Sequence, residues 1–251
     1  MKKLPYSHEF YQHRDQSSRP SAEIVASILE KFLQPRSVLD AGCGIGTWLS
    51  VFREKGAEEV FGLDGNWVYK ENLVISPENF RYHDLSQPFD LDKRFDLAIS
   101  LEVAEHLPPG SADGFVRSLT DHAPVVLFSA AIPFQGGAHH QNEQWPEYWT
   151  ELFRKYNFTA FDCLRPKLWE QSQVLYWYAQ NILLYVSNDK LCEEPSLEKM
   201  LGEPTEKPAR LIHPVLYEFK NNMVQNPEKL GIRKLVQSLW PAIKEKLATK
   251  G

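Results

Sequence analysis

Short apolar runs, most of them closing on or carrying a polar or acidic residue, recur through the first three quarters of the chain, with amphipathic stretches between them. The first is Val38-Leu39, ending at Asp40, and the second is Val60-Phe-Gly-Leu-Asp64. Phe80-Arg-Tyr-His-Asp-Leu85, Phe95-Asp-Leu-Ala-Ile-Ser-Leu101 and Val125-Val-Leu-Phe-Ser-Ala130 follow, and then residues 159–165 and 180–186. Runs of this length read as strands, and the 3.6-residue patterns over 21–33, 47–55, 114–120 and 147–153 read as helices. Ser21 stands where an N-cap would open the first of these helices. Strands alternating with helices predict an α/β domain built on a parallel, doubly wound sheet. Residues 1–20 read as a polar, aromatic arm, residues 21–187 as the domain, and residues 188–251 as a helical extension.

The junction after the first strand holds the most telling chemistry. Gly42, Gly44 and Gly46 follow Asp40 in a G-x-G-x-G spacing that lets a ligand approach the backbone closely. A carboxylate directly before the turn repels a pyrophosphate and attracts a cation. S-adenosylmethionine, with its ribose, α-ammonium and sulfonium, suits such a site. Asp64 lies about 20 residues further on at the tip of the second strand, where nucleoside-binding folds hold ribose hydroxyls. Asp84 ends the third strand as an acceptor for an adenine amino group. Ligands of such sheets lie beyond the carboxyl ends of the strands, and all three acids are placed there.

On these residues the chain resembles the class I S-adenosylmethionine-dependent methyltransferases, from about residue 21 to 186. The motifs are residues 38–48, Gly62-Leu-Asp64, His83-Asp-Leu85 and residues 95–107. The resemblance implies a Rossmann-like seven-stranded sheet, mostly parallel with an antiparallel C-terminal strand. It places Asp40 and the loop 42–46 at the methionine moiety, Asp64 on the ribose, Asp84 and Leu85 at the adenine edge, and Leu101 near the sulfonium. Trp67 is either an adenine-stacking partner or ordinary packing. The arm is expected to fold over the cofactor through Tyr6 or Tyr11. The family accepts very varied substrates, so the fold does not settle the acceptor.

Composition narrows the partners. The 251 residues carry 43% hydrophobic side chains, enough for one full domain, and a net charge of −5, which disfavours a general grip on nucleic-acid backbone. No secretory leader and no bilayer-length apolar run is read in the sequence. Cys43, Cys163 and Cys192 are few, odd in number and well separated, which fits reduced thiols in a cytoplasmic setting.

Glu102, Glu105 and His106 follow the fourth strand at i, i+3 and i+4, and a helix there would turn all three to one face. A mobile Gly136-Gly137 leads to His140, whose His-x-x-Glu spacing brings an imidazole and a carboxylate together. Both segments leave neighbouring strand ends and should converge on one pocket. Three readings stay open. His106 or His140 is a general base, with a glutamate fixing its tautomer. Alternatively, Glu102, Glu105, His106 and His140 ligate Mg²⁺ or Mn²⁺ across two substrate oxygens, as in the similar pattern of small-RNA 3′-terminal 2′-O-methyltransferases and ubiquinone-pathway O-methyltransferases. In the third, the four only shape the pocket. Trp169, Tyr176, Trp177 and Tyr178 form either core or an acceptor wall suited to sugar rings.

Along 229–247 the chain sets Leu235, Val236, Leu239, Trp240, Ile243 and Leu247 on one face and Lys229, Arg233, Lys234, Lys244 and Lys246 around it. Such a stripe packs on its own domain, joins a second copy as a homodimer, or meets an anionic membrane. The expected activity is O-methylation of a small hydroxyl-rich acceptor, a saccharide or nucleotide-linked sugar, in a setting such as polysaccharide biosynthesis. A metal-dependent RNA-end 2′-O-methyltransferase and a silent cofactor-binding partner subunit are the alternatives.

Overall fold

In the computed structural model, which describes residues 8–226 with side chains from residue 17 onward, the apolar runs become seven strands. These are β1 (Ser37–Ala41), β2 (Glu59–Asp64), β3 (Phe80–Tyr82), β4 (Leu97–Leu101), β5 (Val125–Ser129), β6 (Phe158–Phe161) and β7 (Leu183–Ser187). They join in one sheet of order β3-β2-β1-β4-β5-β7-β6. β1 to β5 pair in parallel, and β7 runs antiparallel to both β5 and β6. The chain lays β2 and β3 on one side of β1, then crosses to place β4 and β5 on the other. The carboxyl ends of β1 and β4 therefore flank the topological switch point, where a ligand crevice opens.

Both faces of the sheet are covered, which is why the strands are apolar nearly throughout. The pleat sends alternate residues to opposite sides. Val38, Leu97, Ile99 and Leu127 meet Val25 and Leu29 of α1 (His8–Leu29) and Leu49 and Phe52 of α2 (Thr47–Glu54). Leu39, Ala98, Val126 and Phe128 meet Phe115 and Leu119 of α3 (Ala112–His122) and Trp149 and Phe153 of α4 (Pro146–Lys155). Two short helices, α5 (Arg165–Leu168) and α6 (Tyr176–Asn181), fill the connection from β6 to β7.

Two boundaries differ from expectation. α1 begins at His8 and runs through Pro20, so Ser21 lies inside the helix rather than at its cap. The Ser21 hydroxyl accepts a hydrogen bond from Leu175 N at 3.0 Å. Residues 8–19 are mostly polar, so no apolar stripe marks this part of the helix. Tyr6 and the side chain of Tyr11 lie outside the described residues.

At the other end, α7 (Asn188–Glu193) and α8 (Pro195–Leu201) follow β7, and Leu197 and Leu201 are buried in the α1 side of the core. Thr205 N donates to Ala160 O at 2.8 Å, and Arg165 Nη1 donates to Ala209 O at 2.9 Å. The first compact unit is Met1–Leu211 and the second is Ile212–Gly251. Within the second, α9 (Pro214–Gln225) is capped by the His213 imidazole, which accepts from Val215 N. The basic stripe over 229–247 lies outside the described residues. Among the described residues no helix is long and apolar enough to cross a membrane.

Candidate active site

β1 ends in Asp40 and Ala41, and the glycine loop then turns the chain into α2. Gly42 N and Cys43 N both donate to Leu63 O, at 2.8 and 3.1 Å. Gly42 has φ +100°, and a Cβ there would lie 2.2 Å from Val103 Cγ2, so only glycine fits. Gly44 has φ +55°, and a Cβ there would meet nothing within 4 Å. Asp64 ties this loop to the end of β2: its carboxylate accepts from Gly44 N at 2.7 Å and from Gly65 N at 2.6 Å.

A cavity of about 90 Å³ lies here, lined by Ser18, Asp40, residues 42–45, Thr47, Trp48, Leu101, Glu102 and Tyr178. Asp40 is buried and makes no ion pair among the described residues. Burial, and then the neighbouring Asp64 charge, push its carboxyl well above the usual range. Trp48 packs edge-on to Tyr178, and its buried Nε1 has no hydrogen-bond partner among the described residues.

A second cavity of about 250 Å³ adjoins the end of β4. It is lined by Glu102, Glu105, His106, residues 135–138, His140, Tyr176 and Trp177. Glu102 borders both cavities. Its backbone is left-handed, with φ +56°, an uncommon conformation for a side-chain-bearing residue. The carboxylate is gripped by amides: Asn181 Nδ2 donates to Oε1 and Gln135 Nε2 to Oε2, both at 3.0 Å. Gln180 completes the set by donating to Gln135 Oε1 and Asn181 Oδ1. Burial raises the Glu102 carboxyl above its ordinary value, and the bonds from Asn181, Ser129 and Gln135 partly offset this.

The segments after β4 and β5 do converge. Gln141 N and Asn142 N donate to Glu105 O, and Gln141 Nε2 donates to His106 O. The His106 and His140 rings meet edge to face at 4.7 Å between centroids. Ligand atoms of Glu105, His106 and His140 all lie within 4.8 Å of one another. His140 Nδ1 is 2.8 Å from Glu143 Oε1, as the His-x-x-Glu spacing implies.

The expected helix over 102–106 is replaced by a turn. Only Ala104–His106 is helical, and of the 3₁₀ type. Glu102 still lines the cavity with the other two residues, but the amide network holds its carboxylate, because the left-handed kink ends β4 before any helix starts. The three His/Glu residues stand together without it.

Asp84, Leu85 and Trp67 line neither of these two cavities. Asp84 is exposed and caps its own turn, accepting from Ser86 N and Oγ at 3.0 and 2.7 Å, which holds its carboxyl below the usual range. Leu85 is buried in the core. Trp67 covers Gly65, where a Cβ would lie 2.3 Å from the indole. The aromatic span divides by side: Tyr176 and Trp177 line the larger cavity and Tyr178 the smaller. Gln135, Gln180 and Asn181 escaped sequence reasoning. The one available signal was the polar pair Gln180-Asn181 set in an otherwise apolar approach to β7.

A glycine loop at the switch point, two strand-tip carboxylates and an antiparallel seventh strand define the Rossmann-like class I methyltransferase architecture. A family model described as a methyltransferase domain matches residues 11–164, and the chain belongs to that family. Over 84 residues it is 34% identical to a probable tocopherol O-methyltransferase, chloroplastic, of Oryza sativa subsp. japonica. That match spans 30% of this chain and only 23% of the rice protein.

Solved structures share the fold. S-adenosylmethionine-bound CalS10, an amino pentose methyltransferase from Micromonospora echinaspora, superposes with TM-score 0.53 at 13% identity, covering 75% of this chain and 100% of that one. DesVI of Streptomyces venezuelae gives 0.51 at 14%, covering 71% and 95%. The methyltransferase domain of bacterial CtHen1-C gives 0.50 at 17%, covering 67% and 97%. S-adenosylmethionine is the cofactor of this class, and the crevice fits it: a buried Asp40 with no ion pair among the described residues suits a cationic ligand, Trp48 Nε1 offers a donor, and Gly44 leaves open space.

Proposed function

We propose that this protein methylates an oxygen of a small, hydroxyl-rich acceptor, a saccharide or nucleotide-linked sugar, using S-adenosylmethionine. The observation that carries the reading is the adjacency of the two cavities through Glu102, with an imidazole pair and a buried carboxylate set in the acceptor side. In this reading Asp40, Gly42, Gly44, Gly46 and Leu101 hold the methionine moiety, Asp64 the ribose, and Asp84, Leu85 and Trp67 the adenine edge. The bound cofactor supplies an electrophilic methyl on a good leaving group. The chain must then position the acceptor and take its proton.

His106 or His140 accepts that proton, with Glu105 and Glu102 fixing the acceptor's hydroxyls by accepting their hydrogens. Tyr176 and Trp177 offer flat faces to the acceptor's apolar side. The amino pentose substrate of CalS10 supports a sugar acceptor, and the O-methylation in the rice relative's name supports oxygen as the methylated atom. Incubation with radiolabelled cofactor and pools of sugars, nucleotide sugars and RNA tests the reading. Label in the sugar pools is expected; label in RNA alone would replace it with RNA-end methylation.

The 4.8 Å grouping of Glu105, His106 and His140 also favours a second reading, in which these residues hold Mg²⁺ or Mn²⁺ against two acceptor oxygens. Turnover unchanged by exhaustive chelation removes it. Turnover lost to chelation and restored by Mn²⁺ removes the general-base reading instead.

A further inference from the structure

Glu143 joins three things with one carboxylate. Oε2 accepts from Phe134 N at 2.8 Å. Oε1 accepts from Gly136 N at 2.7 Å and lies 2.8 Å from His140 Nδ1. A carboxylate only accepts, so Nδ1 carries the ring proton and the lone pair of the neutral imidazole sits on Nε2. Nε2 is in turn held close over the loop: a Cβ on Gly137 would lie 2.1 Å from it.

The loop itself is strained. Phe134 has φ +65°, a genuine outlier for a bulky residue, and the residue is 88% exposed. Such a conformation persists only where its surroundings dictate it. Here the Glu143 carboxylate on one side and the buried Gln135 side chain, bonded to Glu102, Gln180 and Asn181, on the other supply that constraint. Residues 135–138 line the acceptor cavity, as does His140.

From this geometry we propose that Glu143 is a positioning residue that sets the His140 tautomer and the acceptor-side loop together, so that one substitution unlocks both. The proposal deepens the reading of His140 as a site residue and holds whether its Nε2 takes a proton or binds a metal.

Two-bond ¹H–¹⁵N correlations on uniformly ¹⁵N-labelled full-length protein test it, at a pH where the ring is neutral, with His140 assigned from the signals lost in His140→Gln. The wild type should show His140 mainly as the Nδ1–H tautomer. Glu143→Ala should shift it mainly to Nε2–H, the form favoured by free imidazole side chains, and should speed amide exchange at Phe134 and Gly136 by about ten-fold or more. Exchange within β5 and α4 should stay unchanged.

A wild-type ring already in the Nε2–H form overturns the proposal and needs no variant, so misfolding of Glu143→Ala leaves it testable. So does an Nδ1–H tautomer that survives Glu143→Ala, or tautomer loss without faster exchange at Phe134 and Gly136. Calorimetry with S-adenosylhomocysteine separates the two layers. Absence of binding in wild type overturns the cofactor reading and leaves the tautomer result standing.

Discussion

Asp40 carries a carboxyl that the fold prefers neutral. Its folded value is raised above the ordinary one, so the stability it contributes is present at pH below about 4 and is lost as pH rises through the raised value. Asp40→Asn removes that loss. The variant free of ligand should melt higher at neutral pH, by roughly 2–4 °C for each kcal/mol regained, and the difference should vanish near pH 4. The same variant should bind S-adenosylhomocysteine more weakly, because the α-ammonium loses its counter-charge. Scanning calorimetry across pH, with and without the ligand, checks both halves; a lower melting point at pH 7 would show that Asp40 is stabilised ionised.

Asp64 works differently, since it accepts two backbone amides that join separate loops. An amide in its place satisfies only one of them and turns a donor toward the other. Asp64→Asn should therefore cost about 1–3 kcal/mol and weaken ligand binding measured by titration calorimetry.

At the scale of elements, the turn from β1 to α2 separates fold from ligand. Gly42 faces Val103 from inside the protein, whereas Gly44 faces open crevice. Both have positive φ, so alanine strains either by about 1–3 kcal/mol. Gly42→Ala adds a collision with Val103, and should lower the melting point far more than Gly44→Ala. Gly44→Ala should stay folded, with its main loss in affinity for S-adenosylhomocysteine. Equal melting points would mean that Val103 moves aside.

The same turn shows what could be read from the chain. Three glycines between an apolar run and an amphipathic stretch can scarcely form anything but a strand-turn-helix. The turn after β4 could not be read in that way. Its i, i+3, i+4 spacing fits a helix, but Glu102 N is committed to Ser129 O and Oγ, and the left-handed φ that accompanies those bonds keeps a helix from starting there.

For the whole molecule, the end of the domain is the informative boundary. Leu197 and Leu201 are buried and belong to the same core as α1, although they follow the last strand. Burying a leucine contributes about 1.5–3 kcal/mol, so a chain ending at Ser187 should lose about 3–6 kcal/mol. A chain ending at Leu211 should keep the first unit's melting transition and its affinity for S-adenosylhomocysteine. If the two truncations melt alike, residues 188–211 contribute nothing to this core.

The local pattern of apolar and polar positions determined the strands, their parallel winding, the crevice at the switch point and the acids beside it, because the pleat, the helical period and glycine's freedom act over a few residues. Only the tertiary structure decided that Asp40 lines the cavity beside the glycine loop, that Asp84 closes its own turn, and that Glu102, though it lines one cavity with Glu105, His106 and His140, has its carboxylate held by Gln135 and Asn181. Those outcomes depend on contacts between residues tens of positions apart, whose geometry is set by the packing of sheet and helices and leaves no periodic trace along the chain.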